Sequence, residues 1–219
     1  MNTIELDELT RQGLKKMPVD FFDNVYLGNT IEKALILCID IRNFSDFLRS
    51  NDDRIVFPLI QSFTTNLLSC VNQYGYNCSY YKLMGDGALL IWDASNQETI
   101  DSALTVFNSY TDFLNDYLFH PYPSLGLAGA LVQGKAYKYE ISAEASQLKY
   151  RDYIGYGVNL ACRLQGIAPK DSLIVNQELG LTGLVPVKPF VWSDTAQQTA
   201  SLKGLRDEDR DQFMLYDRQ

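Results

Sequence analysis

The stretch Tyr80-Tyr81-Lys82-Leu83-Met84-Gly85-Asp86-Gly87-Ala88-Leu89-Leu90-Ile91-Trp92 decides how this chain folds. Two runs of strand-forming residues flank Gly85-Asp86-Gly87. Asp-Gly favours a tight turn, so the pattern predicts a hairpin with Asp86 at its tip. A second acidic residue stands in a similar place upstream. The run Ala34-Leu35-Ile36-Leu37-Cys38-Ile39 is too short for most helices, is rich in strand formers, and ends at Asp40. Two carboxylates on rigid strand ends can share hard divalent cations, which prefer oxygen ligands and neutralise triphosphate charge.

The remaining elements read outward from that hairpin. From Asn43 to Tyr74 the apolar residues Phe44, Phe47, Leu48, Leu59, Phe63, Leu67, Leu68 and Val71 recur with helical spacing, and Pro58 begins or kinks the main helix. A second long helix is predicted from about Gln97 to Leu118, with Ile100, Leu104, Phe107, Phe113 and Leu114 facing inward and Pro121 and Pro123 ending it. A strand follows from Ser124 to Gln133, turned by Gly134, and the Tyr-rich stretch from Lys135 to Tyr150 reads as a strand and an arm. The segment Asp152-Tyr153-Ile154-Gly155-Tyr156-Gly157-Val158-Asn159-Leu160-Ala161-Cys162-Arg163 opens a helix that reaches about Ile167, and Asn159 and Arg163 share one face of it. Ser172 to Val175 is a further strand, and the tail from Val185 reads as two or three more. Residues 1–33 read as a short helix and loop ahead of one domain, residues 34–219. The order βαββαβ predicts an α+β fold with a ferredoxin-like core: a mostly antiparallel sheet with helices packed against it.

Composition narrows the function. The chain has 219 residues, 46% hydrophobic and 21% charged, with a net charge of −8. That length suits one domain with a substantial core. The acidic balance argues against a general nucleic-acid binder or a binder of anionic membranes, which needs a basic face. No apolar run in the sequence approaches the ~20 residues of a membrane span. Met1-Asn2-Thr3-Ile4-Glu5-Leu6-Asp7 is polar and acidic, unlike a secretory leader, so the expectation is a cytoplasmic protein. Cys38, Cys70, Cys78 and Cys162 lack metal-site spacing and read as free thiols of a reducing compartment. The lone histidine, His120, stands beside Pro121 at a helix end and reads as structural.

Four pieces in this order, Asp40-Ile41-Arg42-Asn43-Phe44-Ser45, Lys82-Leu83-Met84-Gly85-Asp86-Gly87, the segment from Asp152 to Arg163, and Leu202-Lys203-Gly204, make the chain resemble the class III nucleotidyl cyclases. The resemblance runs from about Ala34 to Tyr216. It implies that Asp40 and Asp86, with the carbonyl of Ile41, hold two divalent ions per site, Mn²⁺ or Mg²⁺. It also implies that the backbone around Asn43, Phe44 and Ser45 cradles phosphates, as successive amides do in anion-binding nests, and that Lys203 binds the triphosphate. Asn159 positions the ribose, Arg163 stabilises charge on the reacting phosphorus and leaving oxygens, and Lys82 with Asp152 reads the base. In that family the metal aspartates and the base and transition-state residues come from opposite subunits, so the resemblance implies a homodimer with two composite sites.

Lys82 with Asp152 matches the adenylate-cyclase pattern, not the guanylate one. Lysine donates and aspartate accepts, and adenine, uracil and cytosine each offer a matching acceptor and donor, so pocket size must choose. Tyr156 follows Gly155 where many relatives have aspartate, and Tyr81 and Tyr153 flank the two base readers. This compact, Tyr-rich chain, in which no sensor segment is expected, is similar to the bacterial pyrimidine cyclases of antiphage defence. The likeness implies a cyclic UMP or cyclic CMP made for a separate effector protein that responds to the cyclic nucleotide, with UTP the favoured substrate and CTP and ATP next.

Taken singly, each residue has a plainer reading. Asp86 can be a hairpin residue, Asp40 a cap for the helix starting near Asn43, and Asn159 and Arg163 solvated polar residues of an amphipathic helix. Lys82 is harder to dismiss, because a lysine among apolar neighbours in a central strand needs a partner or a pocket. A nucleotide-sensing relative without activity, and a palm-type polymerase or diguanylate cyclase, are rival functions. The retained aspartates, Asn159 and Arg163 disfavour the first, and the Asn159–Arg163 helix with Lys203-Gly204 disfavours the second.

Overall fold

Strand β1 (Asn24–Arg42) carries the run on which the sheet is built. Its residues Ala34 to Ile39 are all buried. A strand buried on both faces must lie inside the sheet with cover on each side. The structure, a computed structural model, describes residues 24–142, 149–176, 179, 190–194, 202 and 213–218. Within them helices α1 (Phe44–Ser50) and α2 (Asp53–Tyr74) follow β1, then the hairpin of β2 (Tyr80–Leu83) and β3 (Gly87–Trp92). Helix α3 (Gln97–Phe113) runs into a π turn (Leu114–Leu118) and β4 (Gly126–Ser142). Next come β5 (Lys149–Ile154), helix α4 (Tyr156–Ile167), β6 (Ser172–Asn176), β7 (Phe190–Asp194) and β8 (Phe213–Arg218).

The sheet order is β2-β3-β1-β4-β6-β8-β7, with β5 paired to β4. The pairs β1–β3, β2–β3, β4–β5, β6–β8 and β7–β8 are antiparallel, and β4–β6 is parallel. This is the expected mixed, mostly antiparallel α+β architecture. Two compact units divide the chain, one of Met1–Thr30 with Tyr137–Ile154 and one of Ile31–Ala136 with Gly155–Gln219. The smaller holds the β5 pairing, in which Tyr137 to Ser142 of β4 meet Ile154 to Lys149.

In the larger unit, side chains alternate along β1 and so serve opposite faces. Leu35, Leu37, Ile39 and Ile41 join a core with Val56, Leu59, Phe63 and Leu67 of α2 and Ile100, Phe107 and Tyr110 of α3. Ile36 and Cys38 point the other way, toward α4, where Cys38 Sγ stands 3.8 Å from Cys162 Sγ. Leu59, Phe63, Leu67, Ile100 and Phe107 lie on the stripe predicted from helical spacing, whereas Val56 and Tyr110 are core residues outside it.

Several boundaries differ from the sequence reading. β1 begins at Asn24, well ahead of Ala34, because Asn29, Thr30, Glu32 and Lys33 are exposed and give no apolar run. Pro58 lies inside α2, whose N-cap is Asp52, with Asp52 Oδ1 accepting from the Arg54 N–H at 2.8 Å. Leu48 is exposed, not core. By length and composition α2 is the one helix among the described residues able to cross a membrane, yet its inward face belongs to the protein core. Gly134 does not end β4, which continues to Ser142. A Cβ at Gly134 would lie 2.8 Å from the Gly157 Cα, so this glycine serves close approach of α4 to the sheet, not a turn. The expected N-terminal helix and most of the tail after Val185 lie outside the described residues.

Candidate active site

The hairpin brings the two aspartates together through backbone bonds. Gly85 opens the turn at φ 79°, and the Met84 N–H donates to the Gly87 carbonyl at 2.8 Å. The Ile41 N–H then donates to the Asp86 carbonyl at 3.1 Å, and Asp40 is the register partner of Gly87. The end of β1 and the hairpin tip are therefore one rigid corner. A Cβ at Gly87 would fall 2.6 Å from the Ile39 carbonyl and 2.9 Å from Asp40 Oδ1, so only glycine keeps the space beside that carboxylate open. Burial, and then the negative charge of Asp86, push the Asp40 carboxyl up to about 6, against the opposing pull of Arg42 and Gln165. Asp40 does not cap α1. That helix starts from Asn43, held at φ 63° with no side-chain cap bond, while the Asn43 amide donates to the Ser124 carbonyl at 2.7 Å. Phe44, buried, and Ser45, exposed, open α1 next to this corner.

Register also places Lys82. Lys82 pairs with Leu89 and Leu89 with Cys38, so the three form one cross-strand row on the face covered by α4. The hydrogen bond from Cys38 lowers the pKa of the Cys162 thiol against the opposing effect of burial, and the Lys82 charge across that row adds to the lowering. β2 is the outermost strand of the sheet order, so Lys82 is not in a central strand as its apolar neighbours suggested. Tyr81 belongs to the opposite row, with Leu90 and Leu37, and lines a groove with Leu68, Val71 and Gly75 at the end of α2. It does not flank Lys82. Alternation within a strand separates neighbours that sequence proximity had joined.

Asn159 and Arg163 are both exposed on α4, while Val158, Ala161 and Leu164 face the sheet. The end of α4 is tied to β1 by residues that the motif reading passed over. Arg42 Nε donates to the Ala168 carbonyl at 2.8 Å and its Nη2 to the Gln165 carbonyl, and Gln165 Nε2 donates to Asp40 Oδ2 at 3.3 Å. A polar Gln165 on the buried side of a predicted amphipathic helix was the available signal.

Asp152 belongs to the smaller unit. It is buried, its Oδ2 accepts from the Tyr150 hydroxyl at 2.6 Å, and its Oδ1 accepts from the Tyr153 N–H at 2.8 Å. Tyr153 is buried too, and Tyr156 is exposed at the start of α4. Lys203 lies outside the described residues, next to the buried Leu202. All four cysteines are free thiols.

No protein-family model and no curated protein matches the sequence. Solved structures do. An adenylyl cyclase, CyaB from P. aeruginosa, superposes at a TM-score of 0.67 with 17% identity, covering 86% of this chain and 95% of that one. The chain has the fold of the class III adenylyl and guanylyl cyclase domains. The catalytic core of a rhodopsin-guanylyl cyclase with converted specificity, solved with ATPαS, matches this cyclase fold at 0.66 with 14% identity, over 87% of this chain and 98% of that one. A guanylate cyclase domain from Catenaria anguillulae, solved with GTP, matches at 0.63 with 13% identity, over 88% and 100%.

Proposed function

We propose that this chain is a nucleotidyl cyclase, turning a nucleoside triphosphate into its 3′,5′-cyclic monophosphate and pyrophosphate. The observation that carries the reading is the corner where β1 meets the hairpin, with Asp40 opposite Gly87 and Ile41 bonded to Asp86, on a cyclase fold. Among the described residues no three His, Cys, Asp or Glu side chains gather into a metal cage. A pair of carboxylates is nonetheless what a triphosphate-borne Mg²⁺ or Mn²⁺ calls for, since substrate phosphates and water supply the other ligands. The open space beside Asp40 and the mutual repulsion of the two aspartates fit such a cation. Asp40, Asp86 and the Ile41 carbonyl would hold two ions, which when bound supply charge neutralisation at the triphosphate.

The chain's own residues would do the rest. Phe44 and Ser45 present backbone to the phosphates, and Lys203 adds a cation. Asn159 holds the ribose so that its 3′-oxygen lies in line with the α-phosphorus. Arg163 stabilises the charge that builds as that oxygen bonds to phosphorus and pyrophosphate departs. Lys82 and Asp152 read the base. The favoured substrate is UTP, through O4 and N3–H, with the tyrosines around Asp152 narrowing the pocket. On this reading the enzyme is a homodimer with sites shared between subunits, residues 34–219 form its catalytic domain, and it acts in the cytoplasm. Its cyclic UMP serves a separate effector in antiphage defence.

Incubating pure protein with Mn²⁺ and each ribonucleoside triphosphate in turn tests the reading. Cyclic UMP should form fastest. If cyclic AMP forms faster under matched conditions, the pyrimidine assignment is wrong and an adenylate cyclase remains. No cyclic product from any of the four leaves a nucleotide sensor. Asp40→Ala and Asp86→Ala should each abolish turnover with the fold intact by circular dichroism. Near-normal activity in either removes the two-metal assignment.

A further inference from the structure

We infer that Arg42 and Gln165 form a brace that positions the Asp40 carboxylate, locking the metal-facing end of β1 to the end of the helix that carries Asn159 and Arg163. This rests on reading Asp40 as a metal ligand.

The brace begins with an unmet need of α4. The last carbonyls of a helix have no intrahelical donor, and the helix dipole makes that end negative. The Ala168 N–H turns back to the Leu164 and Gln165 carbonyls. Arg42, half-buried, sends Nε to the Ala168 carbonyl and Nη2 to the Gln165 carbonyl. One guanidinium thus satisfies two acceptors in a fixed fork, which lysine cannot do. The same positive charge acts on Asp40.

Gln165 closes the loop. Its backbone accepts from Arg42, and its buried side chain donates to Asp40 Oδ2 at 3.3 Å. The other oxygen, Oδ1, lies beside Gly87 at the hairpin tip that Asp86 occupies. Gln165 thus holds Oδ2, the Ile41 N–H also bonds the carboxylate, and Oδ1 stands on the Gly87 side. Capping α4 requires only the backbone of residue 165, and an apolar side chain would fill that buried site equally well. The amide is therefore accounted for by Asp40, not by the helix. Residues that orient a metal ligand typically carry 10–100-fold in metal affinity.

The test separates orientation from stability. Mn²⁺ binding to the nucleotide-free protein is followed by EPR of the free ion, beside the melting temperature and the Mn²⁺ dependence of kcat and KM. Gln165→Leu and the unbranched Gln165→Met, either of which serves if the other misfolds, remove the donor and keep the volume. Both should bind Mn²⁺ about 10-fold more weakly, with nucleotide KM unchanged and kcat largely recovered at saturating Mn²⁺. Arg42→Lys should weaken Mn²⁺ binding and also lower the melting temperature, because it loses the cap as well. Asp40→Ala is the control. If it loses Mn²⁺ binding while both Gln165 variants bind as wild type, the brace is wrong and the metal assignment stands. If Asp40→Ala itself binds Mn²⁺ normally, both fall. A Gln165 variant that loses stability and kcat with unaltered Mn²⁺ affinity shows a merely structural residue.

Discussion

A half-buried carboxyl facing a second carboxylate costs the fold something when it ionises. Asp40 has its pKa raised from an ordinary 3.8 to about 6, so the folded state holds this proton more tightly than the unfolded one. The sign follows: the stability linked to the proton is full below about pH 4 and is lost as pH rises through about 6. In chelator, Asp40→Asn should therefore be more stable than wild type at pH 7.5, and the difference should shrink toward pH 4. Water screens a half-exposed group, so the gain should be at most about 1 kcal/mol, or roughly 2–4 °C in a chain of this size. Thermal melts across that pH range check it, and an Asp40→Asn protein less stable than wild type at pH 7.5 contradicts it. Added Mn²⁺ should raise the wild-type melting temperature and leave Asp40→Asn nearly unmoved.

At the scale of elements, α4 is seated on the sheet by two glycines. A Cβ at Gly134 would meet the Gly157 Cα at 2.8 Å, whereas one at Gly157 would meet a flexible Ile36 methyl at 2.9 Å and the Gly134 Cα at 3.0 Å. Gly134→Ala should thus cost about 1–3 kcal/mol by forcing backbones apart. Gly157→Ala should cost less, because the Ile36 methyl it meets first can give way. Equal melting temperatures for the two variants would contradict this seating. The same elements show what the sequence made legible. Local chemistry announced the hairpin from Tyr80 to Trp92, the α4 helix with Asn159 and Arg163 on one face, and β6, because periodicity and turn residues report on near neighbours. Gly134 looks like a turn from its local sequence because its reason for being glycine is a contact with Gly157, far along the chain. Tyr81 looks like a neighbour of Lys82 because only sheet register reveals which face each serves. Arg42 and Gln165 went unnoticed because their bonds join segments distant in sequence.

For the whole molecule, the proposed homodimer makes a prediction that a single-subunit site does not. Asp86→Ala and Arg163→Ala proteins should each be inactive. Mixed and allowed to exchange subunits, they should recover activity, because one composite site then carries an intact set and the other carries both lesions. The expected recovery is to about a quarter of wild-type turnover: half of the dimers are mixed at random, each with one good site. Native mass spectrometry would establish the mixed species. A confirmed mixed dimer without activity would place Asp86 and Arg163 in the same subunit's site, or show that the two sites must work together.

The alternation along β2 also has a meaning for the gene. Tyr81 and Lys82 are adjacent codons serving opposite sides of the sheet, one lining a groove at the end of α2 and the other in the row under α4. A substitution at either position damages one side. Loss of a single codon between the β2 start and the hairpin tip exchanges the sides of every β2 residue before it. Across lineages descended from this gene, the hairpin should therefore hold its length even where residues other than Lys82, Asp86 and Gly87 change.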